Sequence, residues 1–338
     1  MMKFSIACFG WMVLVVSCSK DTSNTSSVEF VVPDGFPQPT YNFQDNPFTQ
    51  EKFELGRKLF YDPILSKDSS TSCGSCHQQF AAFANADHRL SHGVDGLLGT
   101  RNSPALFNLA WQTNFFWDGG VNHLDVQPIG PITNPVEMDE TLANAIVKLQ
   151  RNSGYRNLFR SVYGNDSITS QMMLRSLSAF MVALVSADSK YDQYKAGFIS
   201  LSTSEMSGLQ LFRQKCESCH KEPLFTDLQY RNNGLSSSFE KDPGRARITN
   251  LPQDSGKFKV PSLRNVELSY PYMHDGKLQS LSQVLDHYRT GVVQSAILDT
   301  LLLSGISITD QEKTDLLAFL STLTDTKFMT NKSFSERQ

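Results

Sequence analysis

Apolar residues recur at helical spacing in several stretches of the chain, and no stretch alternates convincingly in the way a half-buried strand does. Phe53, Leu59 and Phe60 fall near one helical face, and so do Met206, Leu209 and Phe212. Between them, "ETLANAIVKLQ" and "MMLRSLSAFMVALVSADSKYDQY" read as helices, and a polar break near residues 195–204 precedes "SEMSGLQLF". Further on, Leu281, Val284, Leu285 and Tyr288 follow i, i+3, i+4, i+7, which puts Tyr288 on the buried face of a helix and points His287 elsewhere. The tract 231–257, rich in Asn, Gly, Ser and Asp, reads as a long surface loop.

The N-terminus follows a different pattern. "MMKFSIACFGWMVLVVSC" has one early Lys, an apolar run through Val16 and a small Ser17. It reads as a secretory signal, too short and wrongly flanked for a spanning helix. Leu14-Val-Val-Ser-Cys18 looks like the lipobox of bacterial lipoproteins, so residues 1–17 are expected to be removed and Cys18 to carry the lipid. A plain signal with an incidental Cys is the alternative. A lipid on Cys18 would leave the chain anchored rather than spanning, at the periplasmic side of a Gram-negative membrane. Residues 19–35 then read as a flexible polar tether, within an N-terminal extension that runs over 18–45.

At 338 residues, with 40% hydrophobic and 19% charged residues, the chain has ordinary globular composition and room for roughly two domains. Its formal charge of −3, without a Lys/Arg block, gives no footprint for nucleic acid.

Cysteine usage changes the picture. With Cys8 in the signal and Cys18 lipidated, the remaining four are Cys73, Cys76, Cys216 and Cys219. All four sit in two C-x-x-C-H units, "CGSCH" ending at His77 and "CESCH" ending at His220. This pentapeptide is the attachment site of c-type haem: two thiols add to the vinyl groups of one porphyrin, and the adjoining His reaches the iron. A four-cysteine zinc site or a pair of reactive dithiols are the alternatives. Gly56-Arg-Lys-Leu-Phe60 and Gly208-Leu-Gln-Leu-Phe212 precede the two sites as a weak internal repeat. The expected fold is therefore all-α, two cytochrome c-like helical domains with long loops, over residues 46–195 and 196–330. Each binds one covalent haem c.

With these units, "GTRNSPALFNLAW", "FFWDGG", "PITNPVEM" and "KVPSLRNVELSYPYMHDGK", the chain resembles the bacterial di-haem cytochrome c peroxidase family, including its MauG-like branch. The resemblance covers nearly all of the chain after the signal. It implies that His77 is proximal at a peroxidatic haem and His220 at an electron-relay haem, with Trp117 lying between them. It places Gln127 and Glu137 on the peroxide side of the first haem, with Pro131 close by. Such residue types suit the reaction, because a carboxylate can move a proton between peroxide oxygens while an amide orients them. Read without the family, Glu137 is a first-turn charge favoured by the helix dipole, and Trp117 a core aromatic.

Two positions depart from the switching members of that family. The segment that supplies a distal histidine to the first iron holds His88 and His92 here. His92 matches the better, although a solvated loop histidine is the alternative for both. At the second haem the family position for an axial Met lies fourteen residues beyond His274 and falls on Tyr288; Met273 is close in sequence but not at that position. A hard phenolate ligand would lower the potential, as in the MauG-like branch, whereas a plain core tyrosine is the alternative. The resemblance also implies one calcium ion at Asn102, Ser269 and Pro271, and places His274 near the second haem.

The leading expectation is a peroxidase that reduces hydrogen peroxide with electrons from a cytochrome c or similar small donor protein. A MauG-like oxidase of a protein or organic substrate and a non-catalytic electron-transfer cytochrome are the alternatives. A homodimer is an admissible assembly.

Overall fold

The computed structural model describes Met1, residues 28–86 and residues 88–337. The signal region and Cys18 lie outside the described residues.

Two crossed helix pairs organise the chain. The helix Gln50–Tyr61, capped by the Thr49 side chain on Lys52 N, packs against Ser170–Val182. The helix Thr203–Lys215, closed by a capping box between Ser202 and Glu205, packs against Asp310–Ser321. Gly56 and Gly208 mark the two crossings. A Cβ on Gly56 would collide with the carbonyl of Ser176, and one on Gly208 with that of Asp315, so only glycine lets the backbones approach this closely. Aromatic clusters then repeat around each crossing. Phe60 meets Phe180 at 5.0 Å and Phe83 at 6.0 Å; Phe212 meets Phe319 at 5.1 Å and Phe225 at 5.5 Å.

Each pair sits in its own buried cluster. The first gathers side chains from Phe53 to Leu184 and recruits Phe328 and Phe334 from the end of the chain. The second runs from Tyr191 to Leu323. The helices Leu142–Arg151 and Ser153–Tyr163 complete the first half. The long apolar stretch 172–194 forms two helices, Ser170–Val182 and Lys190–Lys195, because the chain leaves helical geometry between them to pass from one core to the other.

Three expectations need correction. Residues 28–35 do not behave as a polar tether: Val28, Phe30 and Val32 pack on the first core, and Val28 N donates to Gln50 Oε1 at 2.6 Å. A small sheet also exists, the antiparallel pair Tyr230–Arg231 and Phe258–Lys259, which closes the base of the 231–257 loop. Finally, the helix carrying Tyr288 is regular only over Leu281–Asp286 and continues as a π-turn, His287–Gly291. No helix among the described residues is long and apolar enough to cross a membrane.

Candidate active site

A cavity of about 1230 Å³ runs through both halves. It exceeds the roughly 300–1,000 Å³ of an ordinary small-molecule cleft. Its wall carries both C-x-x-C-H units, together with Trp117, Gln127, Pro131, Glu137 and Tyr288.

The two histidines are held alike. In the first unit, the single helical turn Cys73–Cys76 ends at His77, whose Nδ1 lies 2.9 Å from Phe83 O, and the Pro104 carbonyl is a second acceptor. In the second, His220 Nδ1 lies 3.2 Å from both Phe225 O and Pro261 O. A carbonyl only accepts, so Nδ1 carries the proton in each ring and Nε2 keeps its lone pair, the state an iron ligand requires. Burial favours the neutral ring, pushing His77 down to about 4 and lowering His220 in the same direction. Phe83 and Phe225 both have positive φ, 59° and 54°, which turns their carbonyls onto the imidazoles.

The thiols fit the same group. Burial pushes Cys73 and Cys216 up to about 12 and Cys76 up to about 11, the reverse of the lowered thiol pKa that a reactive dithiol needs. Among the described residues no three His, Cys, Asp or Glu side chains converge as a metal-ion ligand set, so the four thiols do not form a four-cysteine zinc site. Two thiols and a ligand-ready imidazole, present twice along one largely apolar cavity, fit what two haems attached through sulfur would need.

Glu137 lies in the first half of the cavity. Asn134 Nδ2 donates to its Oε1 at 2.9 Å, and burial raises its pKa against that hydrogen bond. Its backbone carbonyl accepts from Val94 N at 2.7 Å, and Gly93 packs where any Cβ would strike Val136 and Glu137. The preceding residue, His92, is exposed and lines the cavity, with its carbonyl 3.7 Å from Cys76 Sγ and its ring 4.4 Å from that of His88.

Trp117 joins the two halves. Its Nε1 donates to Asn102 O at 2.8 Å, two residues before Pro104 at His77. Its carbonyl accepts from Lys259 N at 2.8 Å, two residues before Pro261 at His220. Arg101 clamps the neighbourhood, donating to Asp118 at 2.7 Å and to both oxygens of Asp242. Arg101 also lies 5.5 Å over the ring of Phe258, which stacks on His274 at 3.6 Å.

In the second half, Leu281, Val284, Leu285 and Tyr288 all line the cavity, as their spacing requires. Burial pushes the Tyr288 phenol up to about 12, with Asn233 opposing. Met273 lines the cavity too, its Sδ accepting from Asn233 Nδ2 at 3.3 Å, while His287 turns away to Asn233 O at 3.0 Å. Asn102, Ser269 and Pro271 all lie along the wall. Asn102 N donates to His274 O at 2.8 Å and its Nδ2 to Arg89 O at 3.2 Å. Sequence reasoning missed the carbonyls of Phe83 and Phe225, although a Phe stands six and five residues after the respective histidines.

The chain belongs to the di-haem cytochrome c peroxidase family, whose description residues 50–199 match directly. It is 34% identical to the methylamine utilization protein MauG of Methylophilus methylotrophus, over 87% of this chain and 88% of that protein. It is equally 34% identical to the cytochrome c551 peroxidase of Nitrosomonas europaea, over 82% and 81%. Among solved structures it is similar to a MauG-like protein associated with microbial copper homeostasis, with a TM-score of 0.85 and 32% identity, covering 91% of this chain and 98% of that one.

Proposed function

We propose that the protein is a di-haem peroxidase that reduces hydrogen peroxide to two waters, taking two protons from solvent and two electrons from a small donor such as a cytochrome c. One observation carries this reading: Glu137 and Gln127 share a cavity wall with the first C-x-x-C-H unit, and Trp117 is hydrogen-bonded to the segments that hold both histidines. A purely electron-carrying cytochrome has no use for a half-buried carboxylate with a raised pKa beside its first site.

When bound, haem supplies the iron at which the O–O bond is broken and the reservoir from which electrons are drawn. The chain supplies everything else. Phe83 O, accepting from His77 Nδ1, orients the ring and strengthens Nε2 as a donor. The Glu137 carboxylate takes a proton from one peroxide oxygen and returns it to the other, with Asn134 fixing its orientation. The Gln127 amide hydrogen-bonds the same oxygens. Pro131 and the aromatic wall around it exclude bulk water, which strengthens these contacts. Trp117 lies on the path between the two sites.

A MauG-like oxidase is the second reading, favoured by Tyr288. It lines the second half of the cavity, at the register where the family resemblance puts a soft ligand, while the Met273 sulfur is engaged by Asn233. One experiment separates the two. The fully oxidised holoprotein is mixed with one equivalent of peroxide and then offered reduced cytochrome c. Rapid cytochrome oxidation supports the peroxidase; a long-lived oxidised protein that ignores the cytochrome supports the oxidase. A protein with no high-spin ferric signal either at rest or after the second haem alone is reduced would overturn both. We also assign a lipid to Cys18, a periplasmic location and a calcium ion to Asn102, Ser269 and Pro271, tested by lipid labelling, fractionation and chelation.

A further inference from the structure

The two proximal histidines are held by equivalent carbonyls, and both carbonyls belong to phenylalanines packed among aromatic rings, but among the described residues only the second has a buried guanidinium over its ring as well. Phe83 is fixed by aromatic packing, with Phe60 at 6.0 Å, Phe180 at 6.2 Å and Phe328 at 5.6 Å. No cation lies over its ring among the described residues. Phe225 packs on Tyr191 at 5.0 Å, Phe212 at 5.5 Å and Phe319 at 6.3 Å, and in addition Arg264, whose side chain is fully buried, brings its guanidinium to 5.5 Å from the ring.

Arg264 spends its fork on the loop that delivers Phe225. Nε donates to Pro223 O at 2.9 Å, and Nη1 and Nη2 each donate to Asp192 at 2.8 Å. Ser189 donates to the same carboxylate from N at 2.9 Å and from Oγ at 2.7 Å. The strand of chain that carries Arg264 adds two more ties: Ser262 Oγ donates to Leu224 O at 2.6 Å, and Leu263 N to Phe225 O at 3.2 Å. The carbonyls of 223, 224 and 225 are thus all gripped from residues 262–264. Since Pro261 O also faces His220 Nδ1 at 3.2 Å, both acceptors on that ring lie on the segments that this network joins.

We infer that Arg264 and Asp192 form a positioning pair that sets the donor strength of His220, and through it the potential of the second site alone. The physical basis is the hydrogen bond from Nδ1. A firm acceptor there makes the imidazole a stronger donor and favours the ferric state, so a loosened acceptor raises the potential. A planar, bidentate pair restricts the loop in a way that a lysine point charge does not. Compared with apolar residues of the same size the buried pair brings little net stability, because desolvation offsets its attraction, although removing one partner alone is costly; a role in geometry therefore accounts for the pair better than a role in folding.

The inference rests on His220 as the proximal ligand of a second haem, so haem is counted first in the full-length holoprotein. A variant-independent count of one would overturn that reading rather than this one. With two haems present, Arg264→Lys and Asp192→Asn are each expected to raise the midpoint potential of the C-terminal haem and shift its low-temperature magnetic resonance g-values. The N-terminal haem should stay where it is. Ser262→Ala, which removes the tie to Leu224 O and the acceptor for Arg264 N but leaves the guanidinium–carboxylate fork in place, gives a smaller shift in the same direction and serves where the first two fold poorly. If the variants lower the melting temperature and leave the C-terminal haem's potential and g-values unchanged, or move both haems equally, the pair is merely structural and the inference fails.

Discussion

The indole of Trp117 donates to the carbonyl of Asn102 at 2.8 Å, and this bond anchors it to the segment that also holds His77. Its own carbonyl is held by Lys259 on the segment that reaches His220. Trp117 is therefore tied at both ends. Trp117→Phe keeps the ring volume roughly but removes the indole N–H. It is expected to preserve both haems and slow electron exchange between them, because the ring loses the bond that holds it against the first segment. Flash photolysis or stopped-flow reduction of one haem measures it; an unchanged rate would remove Trp117 from the path.

Glu137→Gln should leave haem content and spectra intact while slowing peroxide reduction by about 10²–10⁴-fold, the usual contribution of a positioned proton carrier. The pH profile adds a second readout. Burial raises the Glu137 pKa and Asn134 lowers it, so activity that requires the carboxylate climbs as pH rises through that raised value. Asn134→Ala removes the lowering contact, and the climbing limb should move to higher pH. A limb that stays put would show that another group sets it.

Tyr288→Phe should change the spectrum and potential of the C-terminal haem only. Tyr288→Met should raise that potential, because a thioether favours the ferrous state. A C-terminal haem indifferent to both substitutions would mark Tyr288 as packing.

Gly56→Ala and Gly208→Ala each force a methyl into a facing backbone carbonyl. Overpacking of about 3 kcal/mol, less the gain of about 1 kcal/mol from replacing a helical glycine, leaves a loss of about 2 kcal/mol in each half. Chemical denaturation checks this. Equal stability in either variant would mean that the helices slide apart at no cost.

The Asp192 carboxylate gives an acid limit to stability. Burial works against its ionised form, but the Arg264 fork and the Ser189 donors outweigh this and hold its pKa below the ordinary value. A depressed carboxylate stabilises the fold above its unfolded value near 4 and loses that contribution as pH falls through the folded value. Wild-type melting temperature should therefore drop steeply below about pH 4, and Asp192→Asn, already lower at neutral pH, should drop less. Parallel curves would refute the assignment.

The readable parts of this molecule were local in sequence. The C-x-x-C-H units carry their chemistry within five residues, and the spacing from Leu281 to Tyr288 survives a π-turn because all four side chains still reach one cavity. What escaped was non-local or borne by the backbone. The Phe83 and Phe225 carbonyls have no side-chain identity to betray them. Arg264 meets an aspartate 72 residues earlier, so no window contains both. Val28, Phe30 and Val32 were hidden because the Ser/Thr-rich run before them lends its polarity to the whole stretch.

The tail has a consequence for how the molecule is held together. Phe328 packs on Phe83 at 5.6 Å, Gln79 Nε2 donates to Asn331 O at 2.8 Å and Tyr61 OH to Phe334 O at 2.8 Å. The first C-x-x-C-H unit thus takes part of its bracing from residues that lie far along the chain, beyond the whole second half of the fold. A protein cut after residue 323 would lose all three contacts, so the damage would fall on the first half of the fold rather than on the second.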